Sequence, residues 1–445
     1  MFVDRAFADT DCISDHLDGD AIFTLFEKQL ERGIENFLLS ATKLTDLTRF
    51  FLHKKDWIKI EAGYYAYLAP KCTDHPTMSM FLDEFEQAPG LRYLNHAAVA
   101  PWPKRASEAV ARFAQENVCL GARDYPAWMA MEQRLRERLM RLTNAPSTDD
   151  IALVKNTSEA LSFVAFGIDW QPGEQIVISD EEFPSNRIVW EALADRGVEV
   201  VQVSLKGQDP EADLLAACGA NVRLLAISAV QFASGLRLNL VRLGQGCRER
   251  NVLFCIDAIQ QLGALPFDVQ AYQCHFAMAD GHKWMLGPEG LGVFYCRADV
   301  RPQLKLSEYG WHMLEHMGDY TRTDWEPAHS AWRFECGSPN MLGVAALDAS
   351  LSLLEEVGME QVSALLAERV QWLREGLSAI TDVKLHSPED PLRRSGIVSF
   401  SVEGVDNAQV YQHLKHEQVI CITRGPGVRF SPHFYTSKQI IDETL

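Results

Sequence analysis

Residues 252–296 have the sequence VLFCIDAIQQLGALPFDVQAYQCHFAMADGHKWMLGPEGLGVFYC, which contains three short apolar runs: VLFCIDA (252–258), HFAMAD (275–280) and LGVFYC (291–296). Four similar runs precede them: IALVKN (151–156), QIVIS (175–179), VEVVQVSL (198–205) and RLLAISAV (223–230). Patterns typical of helices separate the runs. Because continuous apolar strands that alternate with helices are buried on both faces, we predict an α/β fold with a mostly parallel, seven-stranded sheet.

The pattern changes twice along the chain, which predicts three parts. Residues 1–88 show apolar residues at helical spacing and form a predicted helical extension of unknown role. Residues 89–335 form the predicted large domain, in which residues 89–104 are an arm that packs near the small domain. Residues 336–445 form the predicted small α+β domain, with a helical run and two strand candidates at 346–380, 395–402 and 418–423.

Composition and charge restrict the possible partners. The chain of 445 residues is 47% hydrophobic and has 42 Lys and Arg against 61 Asp and Glu, a formal net charge of −19. Such acidity repels a phosphate backbone, so we expect no nucleic acid partner. The ten cysteines show no CxxC pair and no zinc-ligand spacing, so we expect reduced thiols and no metal. With no signal-peptide pattern and no run of about 18 apolar residues, we expect a cytoplasmic protein without a membrane partner.

Polar residues follow the apolar runs, at the sheet edge where α/β proteins bind ligands. Thr157 and Ser158 follow IALVKN at a strand-to-helix turn, where free N–H groups favour an anion such as phosphate. Both are also ordinary helix N-cap residues. Asp257 ends an apolar strand, so its buried carboxylate needs a cationic partner. It either holds the protonated nitrogen of pyridoxal phosphate (PLP) or caps the next helix.

Lys283 lies in an apolar, glycine-rich stretch, DGHKWMLGPEG, where partial desolvation lowers the pKa of a lysine. A free amine in such a place can form an imine. Lys283 follows Asp257 by one strand–helix–strand step, which lets both residues reach one cofactor. The alternative is a surface lysine in a turn.

The strings DAIQ (257–260), DGHK (280–283) and GPEG (287–290) occur in the order that resembles aminotransferase class V, the fold type I PLP enzymes that include cysteine desulfurases, kynureninases and isopenicillin N epimerase-like proteins. The resemblance covers residues 90–445, from YLNHAA (93–98) to RGPGVRFSPHFY (424–435), and is nearest the isopenicillin N epimerase-like branch. It implies the PLP-dependent transferase fold, with PLP as cofactor and a homodimer with shared active sites.

The resemblance also implies the roles of single residues. Lys283 is the catalytic residue that forms the internal aldimine and moves the Cα proton. Asp257 pairs with the pyridine nitrogen and Phe183 stacks on the ring. Thr157, Ser158 and His282 contact the phosphate. Candidates for further cofactor contacts are Gln260 and Gln231 near cofactor oxygens, and Gly337 and Ser338, which reach the phosphate of the partner subunit.

For the substrate, the resemblance assigns the carboxylate to Arg424. Arg429 is a second candidate, unless it pairs with surface acids. His96, Arg123 and Tyr125 are candidates for the substrate pocket, with structural hydrogen bonding as the alternative.

One feature departs from the desulfurase pattern, because GPGVRFS (425–431) contains no cysteine. The nearest thiols, Cys421 and Cys336, are expected to be inert, which disfavours a desulfurase that forms a persulfide on its own cysteine. We therefore predict an enzyme that acts on an amino acid through an external aldimine. A class V aminotransferase is the first choice and a carbon–sulfur lyase, cysteine desulfurase-like enzyme or epimerase the alternative. A PLP-binding regulatory or scaffold protein also stays open, with residues 1–88 binding a partner or carrier.

Overall fold

The computed structural model describes residues 79–445. Most of the predicted extension, residues 1–78, lies outside the described residues. The prediction that this part binds a partner or carrier therefore stays a prediction. In the described range, no helix has both the length and the apolar character needed to cross a membrane.

A seven-stranded sheet lies at the centre of the described chain. The strands of the described chain are β1 (Arg92–Tyr93), β2 (Ile151–Val154), β3 (Gln175–Ser179), β4 (Glu199–Val203), β5 (Val222–Ser228), β6 (Leu253–Asp257), β7 (Phe276–Asp280), β8 (Gly292–Cys296), β9 (Val383–Leu385), β10 (Val398–Val402), β11 (Val419–Ile420), β12 (Ile422–Arg424) and β13 (Gly427–Phe430). The strand order in the large sheet is β2-β8-β7-β6-β5-β3-β4. Only β8 runs opposite to the other six strands, which confirms the mostly parallel sheet predicted from the apolar runs.

Helices cover both faces of this sheet. Successive side chains of each strand point to opposite faces, and because both sets are apolar, each face has to be buried against helices. Phe254 and Ile256 of β6 lie in one apolar core, whereas Cys255 lies in the other. Helices α3, α6, α7 and α8 contribute to the first core, and α4 and α5 to the second. The helices are α1 (Ser79–Leu82), α2 (Lys104–Leu120), α3 (Tyr125–Thr143), α4 (Thr157–Gly167), α5 (Ser185–Glu191), α6 (Pro210–Ala217), α7 (Leu240–Glu249), α8 (Met341–Val357), α9 (Met359–Ala379), α10 (Asn407–His416) and α11 (Lys438–Thr444).

The C-terminal residues form a second, antiparallel sheet of order β12-β13-β10-β9. The single helical run predicted at 346–380 is two helices, α8 and α9, which meet at Gly358. The φ angle of this glycine is +82°, a conformation that interrupts a right-handed helix. Strand β1 pairs with β11, so residues 92–93 of the predicted arm contact the C-terminal part. The division at residues 88 and 335 stays a prediction.

Candidate active site

A cavity of about 490 Å³ lies where several strands end and their polar residues converge. Parallel strands bring their carboxyl ends to one edge of the sheet, which places the residues after β2, β6 and β7 side by side. Eight of the predicted site residues line the cavity together with a second arginine, Arg429. The eight are Thr157, Ser158, Phe183, Asp257, Gln260, His282, Lys283 and Arg424.

Asp257 is a buried carboxylate without a fixed cationic partner. Its side chain is 3% exposed, and one oxygen accepts a hydrogen bond from the backbone N–H of Ile259 at 3.0 Å. Burial raises the pKa of Asp257, and the nearby charge of Lys283 lowers it in part. A protonated ring nitrogen in the cavity would supply the missing cation.

Lys283 follows β7 and is half-buried. Burial lowers the pKa of its amine, so more of the nucleophilic free amine is present near neutral pH. The next residue, Trp284, is fully buried and anchors this turn. Its indole Nε1 donates to Gln260 Oε1 at 2.9 Å, and Gln260 Nε2 donates to the carbonyl of Ala97 at 3.0 Å. Gln260 therefore supports the lysine turn as well as lining the cavity.

Thr157 and the start of α4 form the other end of the cavity. Asn156 caps this helix, because its side chain accepts from the N–H of Glu159 at 2.9 Å. The buried hydroxyl of Thr157 has no hydrogen-bond partner within the described chain. His282 Nδ1 lies 3.1 Å from Asp280 Oδ1, without the alignment of a hydrogen bond. An unsatisfied hydroxyl at a helix N-terminus suits an anionic group.

These two ends fit PLP. The phosphate would bind at the Thr157 end, where a hydroxyl and the N–H groups at the start of the helix can donate to it. The pyridine nitrogen would take the Asp257 end, where a buried carboxylate needs a cation. Lys283 lines the same cavity, with Nζ 5.7 Å from the centre of the Phe183 ring.

A family model described as aminotransferase class V matches residues 92–437 of this chain. The chain belongs to this family. A probable cysteine desulfurase of Methanothermobacter thermautotrophicus is 29% identical over 381 residues, which are 79% of this chain and 93% of the relative. A cysteine desulfurase of Pectobacterium atrosepticum is 30% identical over 70% of this chain and 78% of its own length.

Solved structures of similar fold lead to the same group. The complex of the cystine C–S lyase C-DES with its reaction product, cysteine persulfide, aligns with a TM-score of 0.74 and 25% identity over 80% of this chain and 97% of that one. A cysteine desulfurase from Escherichia coli aligns with a TM-score of 0.75 and 22% identity over 83% and 97%. Membership of class V confirms the predicted fold type I enzyme with PLP as cofactor. The names of the relatives favour carbon–sulfur cleavage over the transamination that the sequence put first.

Strands β12 and β13 bring two arginines, Arg424 and Arg429, to the wall of this cavity. Arg424 is half-buried, and among residues 79–445 its guanidinium donates only to the carbonyl of Thr423, at 3.2 Å. Arg429 is 1% exposed and donates to the carbonyl of Phe232 at 2.6 Å. The expected alternative for Arg429, pairing with surface acids, is wrong, because this side chain is buried and forms no ion pair within residues 79–445.

The sequence did not reveal a buried network around Glu182, the residue before Phe183. The Glu182 carboxylate accepts from Asn186 Nδ2 at 2.8 Å, from the backbone N–H of Ser228 at 3.1 Å and from Gln231 Nε2 at 3.2 Å. Gln231 thus lies behind the cavity wall rather than in it. Glu182 is the third residue after β3, within the acidic string DEEF (180–183), and no local pattern distinguishes it as the acid that is buried.

Other predicted site residues lie away from this cavity. Gly337 and Ser338 line a separate cavity of about 140 Å³, and their contact with a partner subunit stays a prediction. His96 is fully buried and bonded to Ser431 and Tyr435, so its ring nitrogens are already used. Arg123 is exposed and pairs with Asp124 at 3.2 Å. Within one chain, neither His96 nor Arg123 reaches the cavity, and the substrate-pocket role predicted for them finds no support in this placement.

Tyr125 is the third residue predicted for the substrate pocket. It begins α3, is 38% exposed and packs against Trp128, with ring centres 5.5 Å apart. It is not part of the cavity wall. These contacts explain its position by packing alone.

No cysteine of the described chain lines the cavity. Cys421 is 5% exposed, and burial raises the pKa of its thiol to about 12. Cys336 lies in the separate cavity with Gly337, and burial and a hydrogen bond with Glu308 raise the pKa of its thiol. Both thiols are therefore poor nucleophiles, as the sequence predicts.

Proposed function

We propose that this chain is a PLP-dependent carbon–sulfur lyase that removes the α-proton of a sulfur-containing amino acid and expels the sulfur substituent from its β-carbon. One observation carries the proposal: the cavity holds Lys283, Asp257 and two arginines without an acidic partner, and no cysteine among residues 79–445 contributes to it. The relatives named as cysteine desulfurases and as a cystine C–S lyase support cleavage of a carbon–sulfur bond.

Each residue of the cavity has a task in such a reaction. Bound PLP supplies an electron sink for negative charge at the α-carbon. The Lys283 amine, with its lowered pKa, takes the α-proton and holds it at Nζ. The buried Asp257 carboxylate would hold a proton on the pyridine nitrogen of the bound cofactor, and the unpartnered Thr157 Oγ1 would donate to its phosphate. One of the two arginines of the cavity holds the α-carboxylate and so orients the α-proton toward Lys283.

The fate of the sulfur distinguishes a lyase from a desulfurase that stores sulfur on its own cysteine. Storage needs a thiolate at the cavity, and neither Cys421 nor Cys336 offers one. The sulfur therefore leaves with the substrate fragment. For L-cystine, one water is consumed, and the products are pyruvate, ammonia and cysteine persulfide, the last of which is also named as the product of C-DES.

The oligomeric state and the location belong to the same proposal. We infer a homodimer in which Gly337 and Ser338 contact the partner, because both lie exposed at the mouth of a cavity beside Lys155. The eight cysteines of the described chain are free, as expected of a reduced compartment such as the cytoplasm.

Protein mass spectrometry after turnover tests the absence of sulfur storage. The PLP-loaded full chain is incubated with L-cystine and analysed without reductant, beside the variants Cys336→Ala and Cys421→Ala. We expect turnover in all three proteins and no added 32 Da of sulfur on the chain that depends on either thiol. A persulfide on one of these cysteines, together with loss of turnover in its alanine variant, would show a desulfurase instead.

A further inference from the structure

Arg424 and Arg429 point to the same side of the small sheet. In the antiparallel pair of β12 and β13, Ile422 lies opposite Arg429, and Arg424 lies opposite Gly427. Residues two apart in a strand share a face, so Arg424 is the diagonal neighbour of Arg429. Such neighbours have Cα atoms about 7–8 Å apart, and both side chains here line the same cavity.

These two guanidinium groups lack compensating charge. Neither forms an ion pair with an acid among residues 79–445, and Nε of the buried Arg429 has no hydrogen-bond partner there. Burial and the charge of Arg424 lower the pKa of Arg429 to about 9. Two adjacent cations that are partly removed from water destabilise the protein unless an anion binds between or beside them.

The anionic groups of the cavity lie elsewhere. Asp257 is at the ring-nitrogen end, Asp280 is beside His282, and Glu289 is exposed at the mouth. The phosphate of the cofactor is directed to Thr157 at the start of α4. The anions that bind Arg424 and Arg429 therefore belong to the substrate.

The two arginines differ in depth. Arg429 is almost fully buried, whereas Arg424 is half-buried on the outer strand of the small sheet. The reacting α-carbon must lie close to Lys283, which follows the buried strand β7, so the deeper arginine is the better placed of the two for the α-carboxylate. The carboxylate attached to the reacting α-carbon thus lies at Arg429, and Arg424 is left for another anionic group farther along the substrate.

We propose that the substrate carries two anionic groups, the α-carboxylate and a second carboxylate or similar group on its sulfur substituent, and that Arg424 binds the second. The inference rests on the proposed function for the carbon–sulfur bond, but the second anion is argued from the placement and depth of the two arginines and does not depend on which bond breaks. L-Cystine and S-carboxyalkyl cysteines belong to this class, whereas cysteine and S-alkyl cysteines do not.

A matched pair of ligands without sulfur tests the second anion independently of any lyase reaction. The first ligand is L-2-aminoadipate, which has the shape of S-carboxymethyl-L-cysteine with a methylene in place of sulfur. The second ligand is the side-chain amide of L-2-aminoadipate, which lacks only the second negative charge. Calorimetry measures the affinity of the PLP-loaded full chain for both, in the wild type and in the variants Arg424→Gln and Arg424→Lys.

We expect the acid to bind about 10- to 100-fold more tightly than the amide, as one charge-assisted hydrogen-bonded pair contributes. The Arg424→Gln variant should reduce this ratio to near one, and Arg424→Lys should retain part of it, because lysine keeps the charge but loses the bidentate geometry. Equal affinity of acid and amide in the wild type, or a ratio unchanged by Arg424→Gln, would overturn the proposal.

The lyase proposal fails separately. If the acid binds more tightly through Arg424 but S-carboxymethyl-L-cysteine is bound and not cleaved, the second anion stands and the carbon–sulfur lyase does not. If S-carboxymethyl-L-cysteine and its amide, S-carbamoylmethyl-L-cysteine, are cleaved with equal kcat/KM, the lyase stands and the second anion is refuted.

Discussion

Replacing Glu182 with alanine removes the central acceptor of the buried network behind Phe183. The carboxylate accepts from Ser179 Oγ at 2.7 Å and from Ser228 Oγ at 2.5 Å, and these hydroxyls can turn to other acceptors. The Ser228 N–H and the two side-chain amides described above are held by their surroundings and cannot.

The expected loss follows from those three donors. A buried donor without an acceptor costs about 1–3 kcal/mol, and the removal of a buried carboxylate offsets part of the sum. We therefore expect Glu182→Ala to lower the free energy of unfolding by about 3 kcal/mol. The Phe183 side chain loses its support at the same time, so the affinity for PLP should also fall.

Urea unfolding of the PLP-loaded protein, followed by tryptophan fluorescence, measures this effect. Glu191→Ala is the matched control, because Glu191 pairs with Arg187 on the surface of α5, where such a pair contributes about 0.3–0.5 kcal/mol. Equal stability of the Glu182→Ala and Glu191→Ala variants would refute the view that the network holds this wall of the cavity.

Three further changes probe the cofactor site. The negative charge of Asp257 raises the pKa of Lys283, and the free amine of this lysine is the form that reacts with PLP. In the cofactor-free protein, Asp257→Asn should therefore move the midpoint of the pH dependence of PLP capture to lower pH. A midpoint that moves to higher pH would contradict this. Thr157→Val should weaken PLP binding about 10- to 100-fold while leaving the stability of the cofactor-free protein unchanged or higher, since the hydroxyl has no partner there; calorimetry and thermal unfolding measure the two effects. Gly263→Ala should destabilise the chain by about 1–3 kcal/mol, because φ is +92° and a Cβ would lie 2.5 Å from the carbonyl carbon of Trp284; an unchanged melting temperature would refute the tight approach.

The sequence predicts the large sheet well because its strands are buried on both faces. Each apolar run of residues 151–296 contains one strand of the sheet. An apolar run carries no sign of its direction, so the antiparallel orientation of β8 could not be read from it. The break at Gly358 also escaped notice, because apolar residues continue at helical spacing on both of its sides.

The candidate site is predicted best where function and burial coincide at a strand end. Asp257 and Lys283 follow apolar strands and lie in the cavity. Glu182 was missed because DEEF has the composition of a surface turn, although its third acid folds inward. Arg123 lies outside the cavity of a single chain and pairs with Asp124, and the local sequence does not distinguish such an exposed arginine from one in a binding pocket. Whether such a residue lies in the cavity or at the surface depends on contacts between distant parts of the chain, and these cannot be read from the local sequence.

Product analysis with L-cystine distinguishes a carbon–sulfur lyase from an aminotransferase. The PLP-loaded full chain is supplied with L-cystine alone, and pyruvate, ammonia and cysteine persulfide are measured over many turnovers. We expect equal amounts of all three, with no added keto acid needed as amino acceptor. A keto acid formed without ammonia, at no more than one equivalent per site until an amino acceptor is added, would show transamination and contradict the assignment as a carbon–sulfur lyase.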